Sequence, residues 1–247
     1  IKIEEIREQF ASRFRPNGAV LAVAGRFEWS ELRQTVAELL GDWVPAAGPE
    51  IVESPRAKSR RHFPFDSNQT QIGVSYPSVP YRDPDYFRAW GAVGVLSGGM
   101  SARLFTEVRE RRGLCYSVYA TYHTLLDRGG VFCYASTSAD RAQETLNVLV
   151  GELERLAQGV EREELDRLKA RIKSALIMQQ ESSSSRSGSI ARDWYHLGRV
   201  RSLEEIGRLV DELTCESINA YLAEHPPGNY TVVTLGPREL EAPVGVS

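Results

Sequence analysis

Histidine is scarce in this chain of 247 residues, which carries four: His62, His123, His196 and His225. None stands in an H-x-x-E-H spacing and no two fall within one helical turn, so no helix can present two imidazoles to a metal on one face. Each reads as a surface or packed histidine. The three cysteines, Cys115, Cys133 and Cys215, are odd in number and lack C-x-x-C spacing. That excludes a zinc knuckle and a disulfide framework. No apolar run approaches the roughly 20 residues of a membrane span. The formal net charge is −3 with acids and bases interleaved along the helices, which leaves no nucleic-acid footprint. A phosphate-cradling G-x-x-x-x-G-K-[ST], a dinucleotide fingerprint and a G-x-S-x-G elbow are all missing. No signal peptide is visible, although the chain opens on Ile1 and not on methionine.

What remains is ordinary globular material. A hydrophobic fraction of 42% and a charged fraction of 26% suffice for a sizeable core. The length allows one large domain, or one domain and part of another. Ile3, Ile6, Phe10 and Phe14 predict an amphipathic helix ended by Pro16-Asn17, and Ala19 to Ala24 a short buried strand. A helix is expected over 28–40, with Leu32, Val36, Leu39 and Leu40 inward. Residues 46–65, with Pro49, Pro55, Arg56 and Lys58, read as a solvated linker; the basic cluster could also meet an acidic partner. A strand over 69–76, a helix begun by Asp83-Pro84-Asp85, and strands near 114–122 and 131–137 follow. Helical periodicity then runs almost unbroken to Glu224, with a serine-rich stretch at 182–189 that reads as a low-complexity linker or an ordered turn, a capping box at Ser202 and a last strand over 230–235.

One stretch organises the rest: Gly98-Gly99-Met100-Ser101-Ala102-Arg103-Leu104-Phe105-Thr106-Glu107-Val108-Arg109-Glu110-Arg111-Arg112-Gly113-Leu114-Cys115-Tyr116-Ser117-Val118. Ser101 is placed to cap a helix, and Leu104, Phe105 and Val108 recur at helical spacing. Gly113 stands where a left-handed C-terminal cap is wanted, and a strand begins after it. Arg109, in the last turn, and Tyr116, at the start of the strand, can therefore project at one helix–strand corner. Taken alone, Arg109 reads as a solvated surface cation, and Tyr116 equally as a packed strand aromatic. Cys115, near several arginines, is either a reactive thiol or a small strand residue.

This run resembles the second-domain signature of the pitrilysin/insulinase superfamily, the inverted-motif zinc peptidases that include mitochondrial processing peptidase. The resemblance implies an α+β fold, the α/β roll of these metallohydrolases, with an antiparallel sheet and helices mainly on one face. It implies that Arg109 and Tyr116, seven residues apart, hold the substrate's scissile carbonyl at a zinc site in another domain. Arg112 has no counterpart in that pair and is expected to matter little. No cofactor or metal is expected in this chain. Zinc belongs to the missing N-terminal domain or a partner subunit, and the chain alone is expected to be inactive.

An internal echo agrees. Helix, Pro16-Asn17, apolar run and Gly25 parallel helix, Pro226-Pro227-Gly228-Asn229, strand and Gly236, although such units are common. The expected organisation is 1–45 as the tail of a zinc-bearing repeat, 46–65 as linker, and 66–247 as the complete non-zinc module. Partners would be the zinc-bearing domain or subunit and a peptide or unfolded polypeptide, with a dimer possible and no nucleic acid or membrane span. The alternative is a non-catalytic structural or polypeptide-binding subunit of the same superfamily; a stand-alone small-molecule domain has no motif behind it.

Overall fold

The computed structural model describes residues 1–48, 50, 52 and 60–241. They divide into two compact units, one drawn from Ile1–Arg56 and Gln179–Val200, the other from Ala57–Met178 and Arg201–Ser247. Pro49, Pro55, Arg56 and Lys58 of the expected linker lie outside the described residues.

The second unit holds a five-stranded sheet in the order β1-β5-β2-β4-β3. The strands are β1 (Arg60–Pro64), β2 (Gln69–Ser78), β3 (Cys115–Thr124), β4 (Gly129–Ser138) and β5 (Thr231–Gly236). All neighbours are antiparallel except the outermost pair, β1 and β5. The sequence reading had given Arg60–Pro64 to the linker. Its pairing with a strand some 170 residues later leaves no local signal, and its basic residues look solvated. Period-two alternation explains the layering. Ile72, Val74 and Tyr76 of β2, Val131, Cys133 and Ala135 of β4, and Val232 of β5 are buried on one face.

Helices cover that face. In α4 (Ala142–Ala157), Leu146, Leu149, Val150, Leu153 and Leu156 form one stripe, none more than 1% exposed. Full burial of such a side chain contributes about 1.5–3 kcal/mol, so α4 is a principal lock on the sheet. In α3 (Tyr86–Ser97), Gly94 permits close contact with α5 (Arg162–Gln180): a Cβ there would lie 2.6 Å from Leu168 Cδ1. Asp85 precedes α3 without a side-chain capping bond to the helix, and its own N–H is accepted by Asp83 Oδ1 at 2.8 Å. Ser97, ending α3, accepts the Ala120 N–H at 2.7 Å and so blocks part of the free edge of β3. Two more helices, α7 (Leu203–Asp211) and α8 (Cys215–Glu224), complete the layer; Ser202 and Thr214 cap them through Glu205 N–H and Ser217 N–H.

In the first unit, α1 (Ile3–Arg13) and α2 (Trp29–Leu40) form as the periodicity predicts, yet neither buries a residue. Phe10 and Phe14 stack at 4.4 Å and remain exposed, as do Leu39 and Leu40. Residues 19–24 form no strand, contrary to the sequence reading. A strand is stable only against a ladder partner, and among the described residues none pairs with this run. The serines expected to form a linker or a turn instead begin α6 (Ser183–Leu197), where Ser182 Oγ accepts the Ser185 N–H.

One buried ion pair ties the organising stretch to α5. Arg103, 5% exposed, forks its Nε and Nη2 onto the two Glu164 oxygens at 2.7 Å each, and Nη2 also reaches the Gly159 carbonyl. Burial alone would raise the Glu164 pKa, but the Arg103 bond and the Glu161 N–H outweigh it and hold the carboxyl below its usual value. A depressed folded-state pKa contributes stability that is complete above the unfolded value, about 4.3, and lost as pH falls through the folded value. Glu164→Gln should therefore lower stability at neutral pH by about 2 kcal/mol. It should also flatten the acid limb of the melting-temperature profile below about pH 4.3, which thermal melts across pH 2–7 would read directly.

Candidate functional site

The helix of the organising stretch is not a regular α-helix. Phe105–Glu110 form a π-helical turn, and the Arg111 N–H reaches back five residues to the Thr106 carbonyl at 2.9 Å. Such wide turns are rare and gather at functional sites. Ser101 makes no capping bond among the described residues; the turn opens instead with Ala102 N–H on Gly99 O. Gly113 does adopt the left-handed conformation, with φ at 59°. Its N–H bonds Arg109 O at 3.0 Å, and the next amide, of Leu114, bonds Val108 O at 2.9 Å. Val108 and Leu114 are buried, so this closure is packed as well as hydrogen-bonded.

The strand that follows is irregular too. Cys115 pairs with Thr137 and Ser117 with Ser136, which leaves Tyr116 as an extra residue in a β-bulge. Bulges re-aim side chains. Tyr116 is 84% exposed although it stands in a sheet. The Arg109 guanidinium carbon lies 5.0 Å from the Tyr116 ring centroid and 4.9 Å from that of Phe105, sandwiched between two aromatic faces. The structure thus brings Arg109 and Tyr116 together at the corner, with the Tyr116 ring in solvent.

Glu107, on the same turn and buried, holds the corner from beneath. Its Oε1 accepts Arg111 Nη1 at 2.6 Å and its Oε2 accepts Arg112 Nη1 at 2.8 Å, while Arg155 of α4 approaches to 3.8 Å. Arg112 also bonds the Glu107 carbonyl and receives Arg141 on its own carbonyl. Arg112 is therefore part of the framework around Glu107, a role the sequence reading did not anticipate. Nearby Glu152 has its pKa raised by burial and by Glu107, against the pull of Arg155. The Cys115 thiol is pushed up by burial more than Arg109 lowers it, which favours the small strand residue over a reactive thiolate. Glu107 carried a signal that could have been read: Glu-x-x-x-Arg is an i,i+4 pair.

Zinc does not fit this corner. No group of three metal-capable side chains among the described residues includes a residue of the corner. Among the described residues, one trio of metal-capable groups meets: Asp85, Glu224 and His225. It has a single imidazole, and the Asp85 carboxylate is already paired with Arg88. No helix among the described residues is long and apolar enough to cross a membrane.

A family model described as the peptidase M16 inactive domain matches residues 1–172. A Mycobacterium tuberculosis protein named an uncharacterized zinc protease is 30% identical over 236 residues, covering 91% of this chain and 53% of that protein. A Bacillus subtilis protein of the same description is 24% identical over 238 residues, 95% of this chain and 58% of its own length. The chain thus spans about half the length of the curated relatives it matches. Among solved structures, a peptidase M16 inactive domain from Pseudomonas fluorescens superposes with a TM-score of 0.78 at 22% identity, over 98% of this chain and 60% of that one. A protease from Helicobacter pylori gives 0.78 at 19% identity, over 96% and 59%.

The left-handed turn at Gly113 is open to a direct check. No atom lies within 4 Å of a Cβ built there, so Gly113→Ala meets no steric contact and carries only the backbone cost of φ 59°. That is about 1–2 kcal/mol for an L-residue. The denaturation midpoint should fall accordingly with an unchanged slope.

Proposed function

The chain belongs to the peptidase M16 inactive domain family, and from that premise we propose that it is the substrate-holding, non-zinc module of a zinc metalloendopeptidase. The observation that carries this reading is the Arg109–Tyr116 corner, an arginine stacked 5.0 Å from the ring centroid of a solvent-exposed tyrosine. Arg109 offers forked cationic donors at every relevant pH. Tyr116 offers one phenolic donor on a rigid ring. In this reading both donate to the oxygen of a scissile peptide carbonyl held by another domain or subunit, where negative charge develops as the carbonyl is attacked. Donors fixed in advance stabilise that charge without reorganising. The metal's chemistry comes from outside this chain.

The same reading takes residues 1–45 as the tail of the zinc-bearing module and starts the second module no later than β1, since Arg60–Pro64 pair with β5 and do not belong to the linker. It is supported by the first unit's helices, whose apolar faces are left exposed. The zinc-bearing partner, a peptide or unfolded polypeptide substrate and a dimeric assembly belong to the proposal. A second reading, a structural subunit, is favoured by one feature: the stacking of Arg109 on Phe105 and Tyr116 also serves packing.

Steady-state kinetics of the assembled peptidase, this chain with its zinc-bearing module, separate the two. Tyr116→Phe should lower kcat about 10²-fold, the usual effect of losing one such donor, with the melting temperature nearly unchanged. Arg109→Ala should lower kcat and raise KM. Arg162→Ala, a side chain 84% exposed, is the neutral control, chosen over Arg112 because Arg112 is part of the framework around Glu107. Full turnover in Tyr116→Phe leaves the structural reading standing. Elemental analysis of the chain purified without chelators should find far less than one zinc per chain; stoichiometric zinc would contradict the assignment.

A further inference from the structure

Thr137 sits across the ladder from Cys115, at the position opposite the bulge that carries Tyr116. It is 3% exposed, and its Oγ1 donates to the Leu114 carbonyl at 2.6 Å. Leu114 is thereby held at both ends, because its N–H already bonds Val108 O. A carbonyl at the mouth of an antiparallel ladder would ordinarily seek a backbone amide on the neighbouring strand. Here a side-chain hydroxyl takes that place, so the pairing stops at Cys115 and the chain must turn out. Behind Thr137 stands Thr145 of α4, 0% exposed, with its Oγ1 3.1 Å from Thr137 Oγ1 and 2.9 Å from the Arg141 carbonyl. Two buried threonines thus link α4, β4 and the residue two before Tyr116.

We propose that Thr137 is a positioning residue, whose hydroxyl fixes the Leu114 carbonyl and so sets the bulge that aims Tyr116 beside Arg109. The inference rests on the reading of Tyr116 as a donor for the function but concerns the placement of the ring. Arg109 does not depend on it to the same degree. Its turn is closed by its own backbone bonds, and it stacks on Phe105. Misplacement of a catalytic group by about 1 Å can cost up to 10² in rate.

Thr137→Val keeps the shape and removes the hydroxyl, while Thr137→Ser keeps the hydroxyl. The first readout needs no activity: 3-fluorotyrosine is placed at position 116 of the full chain and its fluorine resonance recorded. The resonance should shift or broaden in Thr137→Val and return in Thr137→Ser. The second is kcat of the assembled peptidase, expected to fall at least about tenfold in Thr137→Val with a smaller change in KM. In a Tyr116→Phe background the same substitution should cost less than about threefold more in rate, while its drop in melting temperature persists in full. A purely structural Thr137 would lower stability and rate equally in both backgrounds. An unmoved fluorine resonance in Thr137→Val overturns the placement role, whatever the turnover. A moved resonance, with full turnover in Tyr116→Phe, upholds the placement and sinks the donor reading instead.

Discussion

The buried carbonyl and amide of Leu114 impose the constraint on which the corner depends. A main-chain polar pair taken out of water must be satisfied, and a simple helix-to-strand passage would satisfy it by regular helix and ladder bonds. This chain does neither. The amide turns back to Val108 across a closure widened by the π-helical turn, and the carbonyl is met by the Thr137 hydroxyl. Both irregularities sit within a few residues of the two side chains at the corner. Local departures of this kind persist where the surroundings over-determine them. Val108, Leu114, Thr137 and Thr145 are all buried, and the Glu107 ion cluster clamps the turn from the side of α4.

The layering of the second unit explains why such a corner can be precise and exposed at once. The leucine stripe of α4 packs against the buried face of β2 and β4, and α4 also delivers Thr145, Arg155 and, just before its first turn, Arg141. The element that contributes most apolar burial is thus the one that reaches the corner's polar supports. Precision at a site comes from elements whose own positions are locked by packing. Ser97, meanwhile, occupies one edge amide of β3, so the strand bearing Tyr116 is partly withdrawn from edge-to-edge pairing.

Periodicity made the second unit's framework legible: the β2 alternation, the β3–β4 hairpin, the α4 stripe and the caps at Ser202 and Thr214 all follow from local rules. The motif run also placed Arg109 before, and Tyr116 after, the left-handed Gly113. What stayed hidden has physical causes. A π-helical turn and a bulge each add one residue to a repeat, and in a single sequence one added residue looks like noise in the pattern. The pairing of β1 with β5 is decided by tertiary contact, and Arg60 and Arg61 hide it further. Residues 19–24 have the composition of a strand, but composition supplies no ladder partner. Thr137 reads as one more β-branched residue on a strand, because nothing local reveals that its hydroxyl faces a carbonyl 23 residues earlier.

The distribution of chemistry across the corner bears on the kind of help it can give. An arginine and a phenol are donors at neutral pH, and neither is an ordinary proton acceptor there. Glu107, on the same turn as Arg109, is buried and committed to Arg111 and Arg112. Glu152, with its raised pKa, faces the same cationic cluster and not the open side. The Cys115 thiol is held protonated by burial. The corner's contribution, in the proposed reading, is stabilisation of negative charge by these two donors. In the proposed reading such a surface lowers a barrier only when a second body supplies the attack, and the donors gain strength as that body excludes water from them. The first unit's uncovered apolar helices are consistent with a chain whose surfaces are completed by another. Dependence on a partner would then be written into the choice of side chains at the corner, and not only into the shape of the interface.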